Sequence, residues 1–214
     1  EIALGAGDVI GVVGPNGSGK SSLLRSVRLA PERAAYSLID GTPITDAMRW
    51  MAWVSQASSL VLASTVYEHT AQMLRISRAM VDVHCVLVDA GLDDRACVHP
   101  ADLSIGERQR LAIACCCAGS AIAWLLDEPS RALDAAGRAW LAARIRAHAA
   151  GGGVVMLASH DQWLLDSCIT HQIDLAYGSP QVLPVRTHSS TVRDVGPADQ
   201  VRSRADMSHV QVMS

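Results

Sequence analysis

Apolar residues recur along this chain in two different rhythms. Runs of successive apolar, often β-branched positions lie from Asp8 to Gly14, Met51 to Ser55, Ile122 to Asp127 and Val154 to Ser159. Each is bounded by Gly, Pro or polar residues, the pattern of strands buried on both faces. A weaker strand is predicted from Gln172 to Tyr177. Between the strands the spacing turns helical. Leu23, Leu24 and Val27 share a face, residues 66 to 92 carry broken apolar faces, and helices are expected over Ile105–Ala118 and Ala135–Ala150, the latter closed by Gly151-Gly152-Gly153. Strands alternating with helices predict an α/β fold, a mostly parallel sheet covered by helices on both faces.

The rhythm fades after Tyr177. Residues 178–214 hold 12 apolar positions out of 37 and no aromatic ring, which predicts a flexible polar tail. The uncharged run Leu111 to Leu126 contains Gly119 and Ser120, so it reads as helix, turn and strand rather than a membrane span. The first residue is Glu1 rather than Met, as expected of a piece cut from a longer product, and no secretory leader is visible. The formal net charge of −3 over 214 residues argues against a nucleic-acid partner. Six cysteines include the consecutive Cys115, Cys116 and Cys117 but no CxxC pair, so they are expected to be reduced core residues of a cytosolic protein.

One feature of the composition points to chemistry. Of 18 basic residues 17 are arginine, and the single lysine is Lys20. With 32 alanines and no Phe, the bias is that of a GC-rich genome, and a lysine that survives it marks a site needing a compact ammonium. Lys20 lies in Gly14-Pro15-Asn16-Gly17-Ser18-Gly19-Lys20-Ser21-Ser22, which matches GxxxxGK[ST] at every fixed position and sits between a strand and a helix. The glycines let backbone N–H groups turn toward phosphate oxygens at the positive end of the helix, Lys20 would reach the β and γ phosphates, and Ser21 would hold Mg²⁺. The bland alternative is a glycine-rich turn. Further along, Ile122-Ala123-Trp124-Leu125-Leu126 ends in Asp127 and Glu128. An acid at that strand end can hold the Mg²⁺ shell, and a second can orient an attacking water. Together the two motifs define a P-loop nucleotide hydrolase.

Leu103-Ser104-Ile105-Gly106-Glu107-Arg108-Gln109-Arg110 narrows the class. With it the chain resembles the ATP-binding subunits of ABC transporters, whose signature is LSGGQ or LSGGE. The resemblance covers residues 1–177 and implies a P-loop sheet core with a small helical subdomain at about 61–102 and with amino-terminal strands truncated. It places Gln56 in the Q-loop, sensing Mg²⁺, Ser130–Asp134 in the D-loop, and His160 as the switch histidine on the γ-phosphate. It also implies that two ATPase domains close head to tail on ATP, with Ser104, Gly106 and Asp134 serving the partner's nucleotide. ATP and Mg²⁺ are the implied cofactors, and transmembrane subunits the implied partners, at the cytoplasmic face of the membrane.

Three positions depart from the family pattern. Ile105 replaces a glycine and would be strained if that position needs positive φ. Arg131 is unusual in a D-loop, and an adenine-stacking aromatic would lie before Glu1. The run Ser64-Thr65-Val66-Tyr67-Glu68 after Leu60–Ala63 resembles the energy-coupling factor branch, importers of vitamins or metal ions. Alternatives are a haem-exporter type, a non-catalytic half-site, and a soluble ABC ATPase outside transport.

Overall fold

The computed structural model describes residues 2–29, 37–39, 42–43, 51–55, 65–176, 181–184 and 210–212. Among these, six strands form the main sheet in the order β5(Met51–Val54), β6(Ala123–Asp127), β7(Val154–Ala158), β2(Val9–Val13), β8(His171–Asp174), β9(Gln181–Pro184). All neighbours are parallel except β8 and β9. The apolar runs are continuous because alternate residues serve two cores. Val155 and Leu157 of β7 pack with Leu126, Leu141 and Leu164 on one face. Val154, Met156 and Ala158 pack with Leu24 and Val27 of α1(Lys20–Leu29) on the other. Many of these side chains are fully buried, and each such Val, Leu or Ile contributes roughly 1.5–3 kcal/mol of transfer free energy.

The first face is covered by α4(Ile105–Cys117), α5(Ala135–Ala150) and α6(Gln162–Cys168). Gly11 allows α6 to come close, since a Cβ there would lie 3.1 Å from both Leu165 Cδ2 and Ile169 Cδ1. A third core, with Leu74, Leu87, Leu92, Leu103 and Leu111, joins α4 to α2(Val66–Ile76) and α3(Val83–Ala90). Trp140 of α5 packs against both this core and the sheet core. No helix among the described residues is long and apolar enough to cross a membrane.

The second sheet has the order β1(Ile2–Leu4), β10(Val210–Val212), β3(Ser37–Ile39), β4(Thr42–Pro43) and is antiparallel. In it Val210–Val212 pairs with Ile2–Leu4 on one side and Ser37–Ile39 on the other. Strand β9 likewise carries the main sheet past Tyr177, pairing with β8. Backbone hydrogen bonding to existing sheet edges supports such short strands where their own apolar content is too small to announce them. Residues 66–92 hold two helices, α2 and α3, separated by a turn in which Arg78 has φ 52°, and α6 adds a helix that the apolar spacing does not predict. Cys115, Cys117 and Cys168 are buried, but Cys85 and Cys97 are exposed and so are not core residues. Burial pushes the Cys115 thiol up to about 12 and those of Cys116 and Cys168 to about 11, which makes them poor nucleophiles.

Candidate active site

Parallel strands place the sequence motifs on one edge. The loop Gly14–Gly19 follows β2, Asp127 ends β6, and His160 follows β7, whose Ala158 pairs with both Val12 and Asp127. The carboxyl ends of such strands are where open α/β sheets hold ligands.

Three glycines set the course of the loop after β2. Gly14, Gly17 and Gly19 have φ of 147°, 81° and 99°, a region closed to most side chains. At Gly14 a Cβ would also stand 2.7 Å from Ser18 Oγ. The loop ends at the N-terminus of α1, whose first turn carries no acidic residue. Lys20 is 8% exposed, and its Nζ donates to the carbonyls of Gly14 at 2.8 Å and Pro15 at 3.1 Å. An ammonium has three N–H donors, so one remains for an anion in the loop. Ser18 Oγ is buried without a hydrogen-bond partner. A free ammonium donor, an unpaired hydroxyl and an open helix N-terminus together fit a phosphate chain.

Ser21 Oγ donates to Asp127 Oδ1 at 3.0 Å, joining the glycine loop to the end of β6. Asp127 is 3% exposed. A hydroxyl and one carboxylate suit Mg²⁺, which takes few protein ligands and completes its shell with phosphates and water. Among the described residues no group of three or more His, Cys, Asp or Glu forms an all-protein metal cage.

Glu128 follows with φ 50°, a left-handed conformation unfavourable for a residue with a Cβ. Its N–H is held by Ala158 O at 2.8 Å, so the sheet enforces the turn that aims the carboxylate. Oε1 is buried without a hydrogen-bond partner and lies 3.6 Å from His160 Nε2. Oε2 accepts the His160 backbone N–H at 3.4 Å. His160 is about half exposed, so the pair forms the rim of the site.

Ser104 caps α4. Its Oγ accepts the Glu107 N–H at 3.2 Å while Glu107 Oε2 accepts the Ser104 N–H at 2.7 Å. Hydrogen bonds from the Ser104 backbone and side chain, helped by Arg95 and Arg110, hold the Glu107 carboxyl below its usual range. Gly106 lets α4 meet the loop after Glu128, since a Cβ there would stand 2.8 Å from Ala132 O. Ile105 is a helical residue with 70% exposure, and it is absent from the non-glycine residues of positive φ, so the expected strain does not arise. Ile105, Gln109, Glu128, Arg131 and Ala132 line an open cavity of about 410 Å³. Asp134 caps α5 by accepting the Gly137 N–H at 2.7 Å.

The structure therefore gathers Gly14–Ser22, Asp127, Glu128 and His160 at one edge. Ser104, Gly106 and Asp134 lie around the adjoining loop, and among the described residues no hydrogen bond of Ser104 reaches the glycine loop. Gln56 falls outside the described residues, as do Leu60–Ser64 and Tyr177. Two side chains that the sequence did not single out join the edge. Arg138 Nη1 lies 3.5 Å from Asp161 Oδ2, and Asp161 caps α6, immediately after His160. The signal for Asp161 was an acid before the helical pattern at Leu164 and Leu165.

The fold and this edge define a P-loop nucleotide hydrolase of the ABC class. The sequence pattern of the family described as "ABC transporter" matches residues 1–131. The chain is 36% identical over 163 residues to "Cytochrome c biogenesis ATP-binding export protein CcmA" of Nitrobacter winogradskyi, spanning 75% of this chain and 82% of that protein. It is 37% identical over 165 residues to the protein of the same name from Sphingopyxis alaskensis, spanning 75% and 79%. Among solved structures, the dimeric post-hydrolysis state of the ATP-binding cassette MJ0796 bound to ADP and Pi superposes with a TM-score of 0.72 at 25% identity, covering 85% of this chain and 87% of that one. An ATP-binding subunit of an ABC transporter has the same fold, with a TM-score of 0.74 at 21% identity, covering 86% and 81%. The chain belongs to the ABC transporter family and is an ATP-binding, ABC-type ATPase.

Proposed function

We propose that this chain is the ATPase subunit of a membrane exporter of the kind its relatives are named for, one that serves cytochrome c biogenesis. The relatives support this haem-exporter type of reading over the energy-coupling factor importer expected from Ser64–Glu68. The contact that carries the catalytic half of the proposal is the hydrogen bond from Ser21 to Asp127, because it sets the glycine loop beside Glu128.

In this reading Gly14 to Ser22 wrap the phosphates with backbone N–H groups. Lys20 gives its third N–H to the β and γ phosphates, and Ser18 donates its unpaired hydroxyl. Ser21, Asp127 and Gln56 hold Mg²⁺, which when bound neutralises phosphate charge and fixes the leaving group. Glu128 takes the proton of the attacking water, and its unpaired Oε1 is the acceptor in question. His160 steadies the γ-phosphate from the rim. Ser104, Gly106 and Asp134 serve the nucleotide of a second ATPase domain. The chain works at the cytoplasmic face, held there by transmembrane partner subunits.

Two experiments test the two halves. Glu128→Gln in the full chain should keep ATP affinity while Mg²⁺-dependent turnover falls by about 10²–10³. Unchanged turnover removes Glu128 as the base. Expression in a bacterium lacking its own cytochrome c biogenesis export ATPase should restore haem-bearing c-type cytochromes. Failure to restore them, with ATPase activity intact, overturns the exporter reading alone.

A further inference from the structure

We propose that Arg138 is a positioning residue: through Asp161 it clamps the loop that presents His160 to Glu128. The proposal rests on the roles assigned above to Glu128 and His160.

His160 is poorly held by its own side chain. Its imidazole is about half exposed, and its contacts with Glu128 are long, 3.6 Å from Nε2 and 3.4 Å from the backbone N–H. Contacts of that length leave the ring free to wander unless the backbone on either side is fixed. Asp161 fixes it. Its N–H donates to Ser159 Oγ at 3.0 Å, and its Oδ1 accepts the Leu164 N–H at 3.2 Å, which anchors the start of α6. The other carboxylate oxygen, Oδ2, faces Arg138 Nη1 at 3.5 Å.

Arg138 brings that carboxylate under the control of α5. It stands in the first turn, one residue after Gly137, whose N–H is fixed to Asp134, and its own N–H is bonded to Asp134 O at 2.9 Å. Its Nε is buried without a hydrogen-bond partner. Asp161 is the better shielded of the two, with 15% side-chain exposure against 38% for Arg138. The chain of contacts thus runs from the loop after Glu128, through Asp134 and Arg138, to Asp161, and returns to Glu128 through His160. Among the described residues no hydrogen bond or ion pair of Arg138 reaches the glycine loop or the catalytic acid.

Deleting the clamp should loosen His160 without altering phosphate binding. In the full chain, Arg138→Ala is expected to lower kcat roughly three- to tenfold with KM for ATP unchanged. Arg138→Lys, which keeps a cation, should recover most of the loss. Asp161→Ser retains a helix-capping oxygen but not the charge, and should match Arg138→Ala. The double variant should be no slower than the slower single one, because both remove one interaction. Amide hydrogen exchange at residues 159–161 should quicken in Arg138→Ala while the interior of α5 stays protected. Wild-type kcat in Arg138→Ala, multiplying effects in the double variant, or a rise in KM alone would each overturn the proposal. If Glu128→Gln leaves turnover unchanged, the assignment of the base has failed, and the exchange at 159–161 then decides the clamp by itself.

Discussion

Two helix N-termini in this molecule face opposite fates. Helix α1 starts after Gly19, which has no side chain to cap it, and its first turn holds no acid. Helix α4 starts at Ser104 with a complete capping box, and the Glu107 carboxylate sits on its first turn. Exposed N–H groups carry the positive end of a helix dipole, and an internal carboxylate satisfies and neutralises them. The first terminus is left for an outside anion, with a lysine ammonium and an unpaired Ser18 hydroxyl beside it. The second has met its own needs through the reciprocal Ser104–Glu107 cap. The same motif set thus contains one terminus left open to an outside anion and one closed by its own cap.

The largest expected effect lies at α1. Lys20→Ala should weaken ATP binding at least about a hundredfold, measured by calorimetry, and Lys20→Arg should be nearly as damaging because a planar guanidinium does not fit between the Gly14 and Pro15 carbonyls. ATP affinity kept in both variants would show that the open terminus does not depend on its lysine.

Gly106→Ala probes the packing of α4. An exposed helical glycine replaced by alanine gains stability, but here the new Cβ meets Ala132 O at 2.8 Å. A net loss of about 1–2 kcal/mol in denaturant unfolding is expected. A gain would mean that α4 and the loop after Glu128 are free to separate.

Ser104→Ala removes the cap and should cost about 1 kcal/mol of stability, with ATP affinity of the single chain unchanged. An affinity loss comparable to that of Lys20→Ala would erase the distinction between the two termini.

The smallest effect is in pH. Glu107 has a folded-state pKa below its unfolded one, so its stabilisation is complete above the usual carboxylate range and is lost as pH falls through that range toward the lowered value. Between neutrality and about pH 3 the unfolding midpoint of the wild type should fall more than that of Glu107→Gln. Parallel curves would mean that the box is not held by the ionised carboxylate.

The sequence revealed most of the main sheet because strands buried on both faces must be apolar at nearly every position. Val154 to Ala158 could hardly be anything else. It also exposed the glycine loop, where backbone conformation itself demands particular residues. It was silent on β10, which in the structure pairs with β1 and β3, and on α6, which is only seven residues long. The expected strain at Ile105 came from a family position, whereas at the site it is Glu128 that takes a positive φ. No local pattern marks it, since the left-handed turn is imposed by Ala158 from the adjacent strand.

What the sequence determined by itself was chemistry carried by contiguous residues: a loop with glycines at the right intervals, one lysine, and two acids at a strand end. These are local because turns, caps and phosphate cradles are built within a few residues of backbone. What only the tertiary structure decided was which distant groups meet. Ser21 finds Asp127 across 106 positions, and Arg138 finds Asp161 between helices that share no motif. Those meetings depend on strand order and helix packing, set by burial summed over the whole core, and no single stretch of the chain contains that sum.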